Sequence, residues 1–119
     1  MYSRDTVIAG SHMLKALGHS GISEFLLEVG LPDSVAAGSG LQARAISLAK
    51  FAIENPAELS PAQRTIAFEI IRRATALWQQ GTTTNLRPDD PSKFESAMEN
   101  NGHALAPPHG MMPFPTLPR

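Results

Sequence analysis

Ile66, Ala67, Ile70, Ile71, Ala74, Leu77 and Trp78 recur at steps of three and four residues without a break. Only an α-helix gathers that spacing onto one face. Ser60-Pro61-Ala62-Gln63, just ahead of it, reads as a capping box with proline at the first helical position. Gly81 marks the end. Arg64, Glu69, Arg72, Arg73 and Gln80 read as lying mostly off the apolar stripe. A lone helix cannot bury so broad a stripe, so the rest of the chain must cover it.

The other segments supply that cover. Over 5–17, Val7, Ile8, Ser11, Leu14 and Leu17 share one helical face, with Ser3 as N-cap and Gly18 at the C′ position. Gly10 weakens that helix. Gly10-Ser11-His12-Met13 matches the scar of a cleaved tag, but it lies inside the helical pattern and no run of histidines precedes it, so it reads as native. This segment either packs on the common core or crosses to a second copy. Over 20–29, Ile22, Phe25, Leu26 and Val29 form a stripe behind a Ser20 cap, while Glu24 and Glu28 point away. Gly30-Leu31-Pro32 is a stop: a left-handed residue, a returning apolar contact, and a residue that cannot continue the helix.

Residues 33–40 read as a small-residue loop. A third helix follows over 41–54, with Leu41, Ala45, Leu48 and Ala52 in line and Ile46, Ala49 and Ile53 beside them, ended by Asn55-Pro56. A short fifth helix over 91–100 takes Asp90 as cap and Phe94, Ala97 and Met98 as its apolar face. Beyond Gly102, five prolines forbid helix and sheet, which predicts an extended or disordered tail over 102–119. The expected architecture is therefore all-α: a compact bundle of four to five helices in one domain over 1–101, most clearly marked over 20–81, with an extended Pro-rich C-terminal tail.

Composition narrows the function classes. The 119 residues suit a single core, and 42% hydrophobic with 18% charged residues excludes wholesale disorder. Only 6% are aromatic, so the core must be mainly aliphatic. A formal net charge of −1 creates no global field toward nucleic acid or anionic membrane. Without cysteine there is no disulfide and no thiolate metal site. The N-terminus lacks a signal-peptide pattern, and no apolar run approaches the roughly 20 residues of a membrane span. A cytoplasmic protein is expected.

Each candidate for chemistry meets a simpler explanation. Gly18-His19-Ser20-Gly21 approaches a nucleophile elbow, but Ile22 stands where the last glycine belongs and a helix, not a strand, precedes it. His12, His19, His103 and His109 form no ligand pair at metal-binding spacing. Glu24 with Glu28, and Asp89 with Asp90, read as a solvated face and a helix cap. No cofactor, metal or catalytic residue is expected, and an enzyme is the third-ranked reading. Arg44, Lys50, Arg64, Arg72 and Arg73 form a possible basic strip on the third and fourth helices, interrupted by Glu54, Glu58 and Glu69. That strip supports an alternative reading as a small nucleic-acid-binding regulator. Trp78 reads as core, with an interface anchor as its functional alternative. Met111-Met112-Pro113-Phe114 is an apolar segment that can dock in a groove of a partner or another copy.

The pieces "ISEFLLEVGLPD", "GLQARAISLAKFAIENP" and "LSPAQRTIAFEIIRRATALW", spanning about half the chain, resemble the small all-helical modules of prokaryotic antiphage defence proteins. These are the effector-associated, death-fold-like domains and the helical domains of abortive-infection proteins. The resemblance implies a module with no active site that recruits or oligomerises an effector through helix contacts; no effector domain accompanies it here. The resulting expectation is a non-enzymatic protein–protein interaction or oligomerisation module, an adaptor in bacterial defence. Its surface would include Glu24, Glu28, Arg64, Arg72, Arg73, Trp78, Met111, Met112 and Phe114. In that reading Arg72 and Arg73 of one copy meet Glu24 and Glu28 of another.

Overall fold

Ser3 opens the first helix, α1 (Arg4–Met13), by accepting a hydrogen bond on its hydroxyl from the Thr6 amide at 3.2 Å. The helix tightens into a 3₁₀ turn over Leu14–Leu17, which ends at Gly18 with φ at +74°. The computed structural model describes residues 2–103 and 105. Helix α2 spans Gly18–Glu28 and therefore starts ahead of the expected Ser20 cap, leaving Ser20 exposed in its first turn. Gly18 supplies the left-handed backbone that breaks the 3₁₀ turn, and helical pairing resumes at once. No extended residue is left for Ser20 to occupy as a cap.

The stop after α2 forms as its residues require. Gly30 adopts φ +78°, the Leu31 amide donates to the Leu26 carbonyl at 2.9 Å, and the Gly30 amide donates to that of Leu27 at 3.2 Å. This paired pattern satisfies two carbonyls that the helix end would otherwise orphan. The expected loop over 33–40 holds a short 3₁₀ turn, Asp33–Ala36, before α3 (Leu41–Glu54).

Helix α4 (Ile66–Gln79) begins later than the expected capping box. Residues 60–63 form a β-turn closed by the Gln63 amide on the Ser60 carbonyl, with Pro61 at its second position. Proline fits that position as well as it fits the first turn of a helix. Thr65 is the cap, its hydroxyl accepting from the Phe68 amide at 3.1 Å. Gly81, at φ +70°, terminates the helix. Helix α5 spans Asp90–Asn100 and includes Asp90, whose carboxylate is occupied elsewhere.

Helix α1 is the hub: it packs against α3, α4 and α5 within the same chain. The close approach depends on Gly10, where a Cβ would lie 2.8 Å from Ile71 Cδ1. Met13, Leu14, Ile22, Leu26, Leu48, Ile70 and Phe94 fill the centre and are essentially inaccessible to water. Burying each such side chain contributes about 1.5–3 kcal/mol. The result is an all-α bundle, with no strand and no helix long and apolar enough to cross a membrane among the described residues. The predicted tail lies outside them, apart from Gly102, His103 and Leu105.

Candidate interaction groove

Two hollows open on the α1 side of the bundle and share Arg4 and Ile53. The first, about 290 Å³, lies between α1 and α3 and is floored by Ile8, Ile46 and Ala49. The second, about 430 Å³, lies where the start of α1 meets the end of α3 and the start of α4; Tyr2, Val7, Ile66 and Phe68 line it. The two hollows adjoin through these shared residues, and each is lined mainly by apolar surface. Ile46 is 50% exposed and Phe68 38% exposed, although each belongs to a helix that buries its neighbours. Arg4, Lys50 and Glu54 stand at its edge, and the Arg64 guanidinium sits 5.5 Å from the Phe68 ring centre. Apolar surface gathered in a concavity with a polar rim is the form of an interaction site.

Arg4, Lys50 and Glu54 at the hollows are exposed, whereas several other charged residues of the bundle are engaged internally. Glu69 is 2% exposed, against the expectation that it lies off the stripe. It sits three residues after Ile66 and one before Ile70, which places it on the buried face. Its carboxylate accepts from the Ser60 hydroxyl at 2.7 Å, from Arg64 Nε at 3.0 Å, and from Arg72 Nε and Nη2 at 3.1 and 3.0 Å. Burial alone would raise the Glu69 pKa, but these hydrogen bonds together hold it below the usual carboxylate range. Ser60 thus donates to a buried anion and is not the helix cap.

Arg44 is also buried. It donates to the carbonyls of Ala36 and His19, to Ser23 Oγ, and to Asp33 Oδ1 at 2.9 Å. The Ser23 hydrogen bond first, then the Arg44 guanidinium, keep the Asp33 carboxyl below its ordinary range. Of the basic strip, Arg44 is buried and pins α3 to α2, while Arg64 and Arg72 are exposed and also hold Glu69. Of those five cations, Lys50 and Arg73 are exposed and make no ion pair among the described residues.

Lys15 and Asp90 form a second inward pair at 2.9 Å, each almost fully buried, and Lys15 also donates to Gln42 Oε1 at 2.8 Å. Asp90 additionally accepts from the Arg87 amide at 2.8 Å, so it anchors α5 to the hub instead of capping the helix from outside. A polar hollow of about 450 Å³ beside this pair is lined by Asp5, His12, Asp90 and Lys93. His12 Nδ1 is buried without a hydrogen-bond partner among the described residues. Burial first, and then the Lys15 charge, depress the His12 pKa. The Ser92 hydroxyl in this hollow donates to the Asp89 carbonyl at 3.1 Å. No group of three or more His, Asp or Glu side chains suited to a metal occurs among the described residues.

The structure separates the residues expected at an interface. Glu24 and Glu28 are exposed on α2, and Arg73 is exposed on α4. Trp78 is half-buried against the core at the end of α4. Of the expected set only Arg64 reaches the groove, at its rim. Met111, Met112 and Phe114 lie outside the described residues. Sequence reasoning missed the groove itself. Its one sequence sign was that Ile46 and Ile53 stand beside the third helix's main stripe, with no identified partner. Comparison with protein-family models, curated proteins and solved structures finds no match to this chain.

Proposed function

We propose that this chain is a non-enzymatic protein–protein interaction module that binds partners through the apolar groove along α1, α3 and α4. The observation that carries the reading is a pair of adjoining, mostly apolar hollows that share Arg4 and Ile53, with Ile46 and Phe68 open to solvent and the exposed charges Arg4, Lys50 and Glu54 along their lining. A partner burying apolar side chains there gains roughly 25 cal/mol per Å² removed from water, before the entropic costs of association. Glu24, Glu28 and Arg73 are exposed and make no ion pair among the described residues, so they supply steering and register more than affinity. The adaptor role in antiphage defence implied by the resemblance over 20–78 is part of this proposal.

Selection of displayed random peptides on the immobilised full chain tests it. Enriched ligands should carry apolar anchors and lose binding on Ile46→Glu or Phe68→Glu, but not on Lys93→Glu at the polar hollow. Ligands indifferent to both groove substitutions would refute the assignment.

A further inference from the structure

Leu27 is 78% exposed, more than any other large hydrophobic residue among the described residues. A single exposed leucine is ordinary on a protein surface. The surroundings of this one are not neutral. Helix α2 holds no Lys or Arg, Glu24 stands one turn before Leu27, and Glu28 follows it directly. Both glutamates are exposed and make no ion pair among the described residues. The helix cannot turn to hide Leu27, because Ile22, Phe25 and Leu26 are buried in the core. It therefore presents an apolar knob beside two negative charges.

The groove is the complementary surface. Its linings set two cations, Arg4 and Lys50, against one carboxylate, Glu54, and none of the three makes an ion pair among the described residues. The hollow of about 290 Å³ between α1 and α3 has room for a leucine side chain above Ile8, Ile46 and Ala49. Leu27 lines neither hollow, so a chain does not fill its own groove with it. Two copies set groove against groove would oppose one concavity to another and leave both unfilled. A convex helix face fills a concave site. Among the described residues, α2 is the one helix outside the groove with an exposed large hydrophobic side chain, and its charges have the sign opposite to Arg4 and Lys50.

We infer that the groove of one copy receives α2 of a second copy, with Leu27 seated between α1 and α3 and Glu24 and Glu28 against Arg4 and Lys50. The inference rests on the reading of that groove as an interaction site. Arg72, which the sequence alone pairs with these glutamates, is instead held by Glu69. Each copy carries one knob and one groove on separate surfaces. The contact is therefore head-to-tail, and it adds copies until it closes into a ring or runs on as a filament. Burial of Leu27 supplies the attraction, and the exposed ion pairs set which way the helix lies.

Sedimentation velocity on the full chain over a concentration series tests this. The unaltered chain should grow past a dimer as its concentration rises. Leu27→Asp removes the knob and Ile46→Glu blocks the groove; both positions are exposed, and circular dichroism checks that helicity is kept. Each variant alone should sediment as a monomer. Their equal mixture should form a dimer that grows no further, since one open groove and one open knob remain. Glu24→Lys with Glu28→Lys, and Arg4→Glu with Lys50→Glu, give a second pair that leaves every apolar side chain in place. Each should weaken assembly about tenfold at low salt, and their mixture should restore it. An unaltered chain that stays monomeric overturns the inference. So does assembly that survives Leu27→Asp, or a mixture of the first two variants that stays monomeric. Displayed peptides selected on the Leu27→Asp chain separate the two levels, because its groove is intact and unoccupied. If they bind and are lost on adding Ile46→Glu while the unaltered chain does not assemble, the second copy is wrong and the groove assignment stands. If no such peptide binds and the chain does not assemble, both fall.

Discussion

Replacing Ser60 with Ala distinguishes a helix cap from a donor to a buried anion. As a simple N-cap, Ser60 would contribute about 1 kcal/mol whatever the pH. In the structure its hydroxyl donates at 2.7 Å to Glu69, and both residues are almost fully buried. A hydrogen bond to a charged group contributes about 1.5–3 kcal/mol, against about 0.5–1.5 for a neutral one. Arg64 and Arg72 also bind Glu69, but their side chains are 43% and 51% exposed, so each pair adds at most about 1 kcal/mol. Ser60→Ala should therefore cost about 2 kcal/mol at neutral pH. The loss should shrink on acidification. The folded Glu69 pKa is depressed, so its stabilisation is present above the unfolded carboxylate range and disappears as pH falls through the folded value. Once the carboxyl is protonated, only the neutral increment is left. Urea unfolding followed by circular dichroism, stepped from pH 7 downward, reads this through the midpoint at constant slope. Ser60→Ala combined with Glu69→Gln should show a coupling of about 1 kcal/mol or more. A loss that is the same at every pH, and additive with Glu69→Gln, would refute the reasoning.

Three further outcomes are expected from the core and its inward charges. Ile70→Ala, at a fully buried position, should cost about 2–5 kcal/mol by the same unfolding assay. Asp90→Ala strands the Lys15 ammonium in the interior and should cost about 3–5 kcal/mol, whereas Lys15→Met with Asp90→Leu should recover most of the loss. The His12 pKa is depressed, so the fold favours its neutral form: above about pH 6.5 the residue has no effect, and below it the unfolded chain takes up the proton first. Stability should decline over that interval, and His12→Gln should remove that part of the decline in a pH series of thermal melts.

Local chemistry made most of the bundle legible. Ser3, Gly30 and Gly81 act within a turn of themselves, so their roles follow from neighbours in the sequence. The helix over 41–54 is likewise bounded by its own composition. The errors arise where a side chain answers to something more distant. Ser60 could either cap a helix or donate to a carboxylate, and that choice depends on which side of α4 Glu69 faces. Asp90 is drawn away from capping by Lys15, which comes from the far end of the chain. Arg44 looked like a surface cation because charged residues usually are, yet its place three residues after Leu41 lies at the edge of the buried stripe. The groove left one sign in the sequence, Ile46 and Ile53 beside the main stripe of α3, and that sign did not locate it. Exposure of Ile46 and Phe68 follows from how α1, α3 and α4 meet, and no periodicity records that.

These placements bear on how such a module could discriminate partners. Buried pairs such as Lys15–Asp90 and the Glu69 cluster are poor sources of net stability, because desolvation offsets their attraction. What they do here is geometric. Lys15–Asp90 ties the 3₁₀ turn after α1 to the start of α5, Arg44 ties α3 to α2, and Glu69 ties α4 to the turn that precedes it. The crossing of α1 with α3 and α4 therefore sits in a bundle held by directional contacts as well as by interchangeable aliphatic packing. A groove made by that crossing has a defined shape before any ligand arrives, and preorganisation lowers the cost of binding. The same arrangement withdraws Arg44, and much of Arg64 and Arg72, from long-range attraction. In the function proposed above, discrimination at the groove would fall to apolar shape, with Glu24, Glu28 and Arg73 setting orientation from outside it.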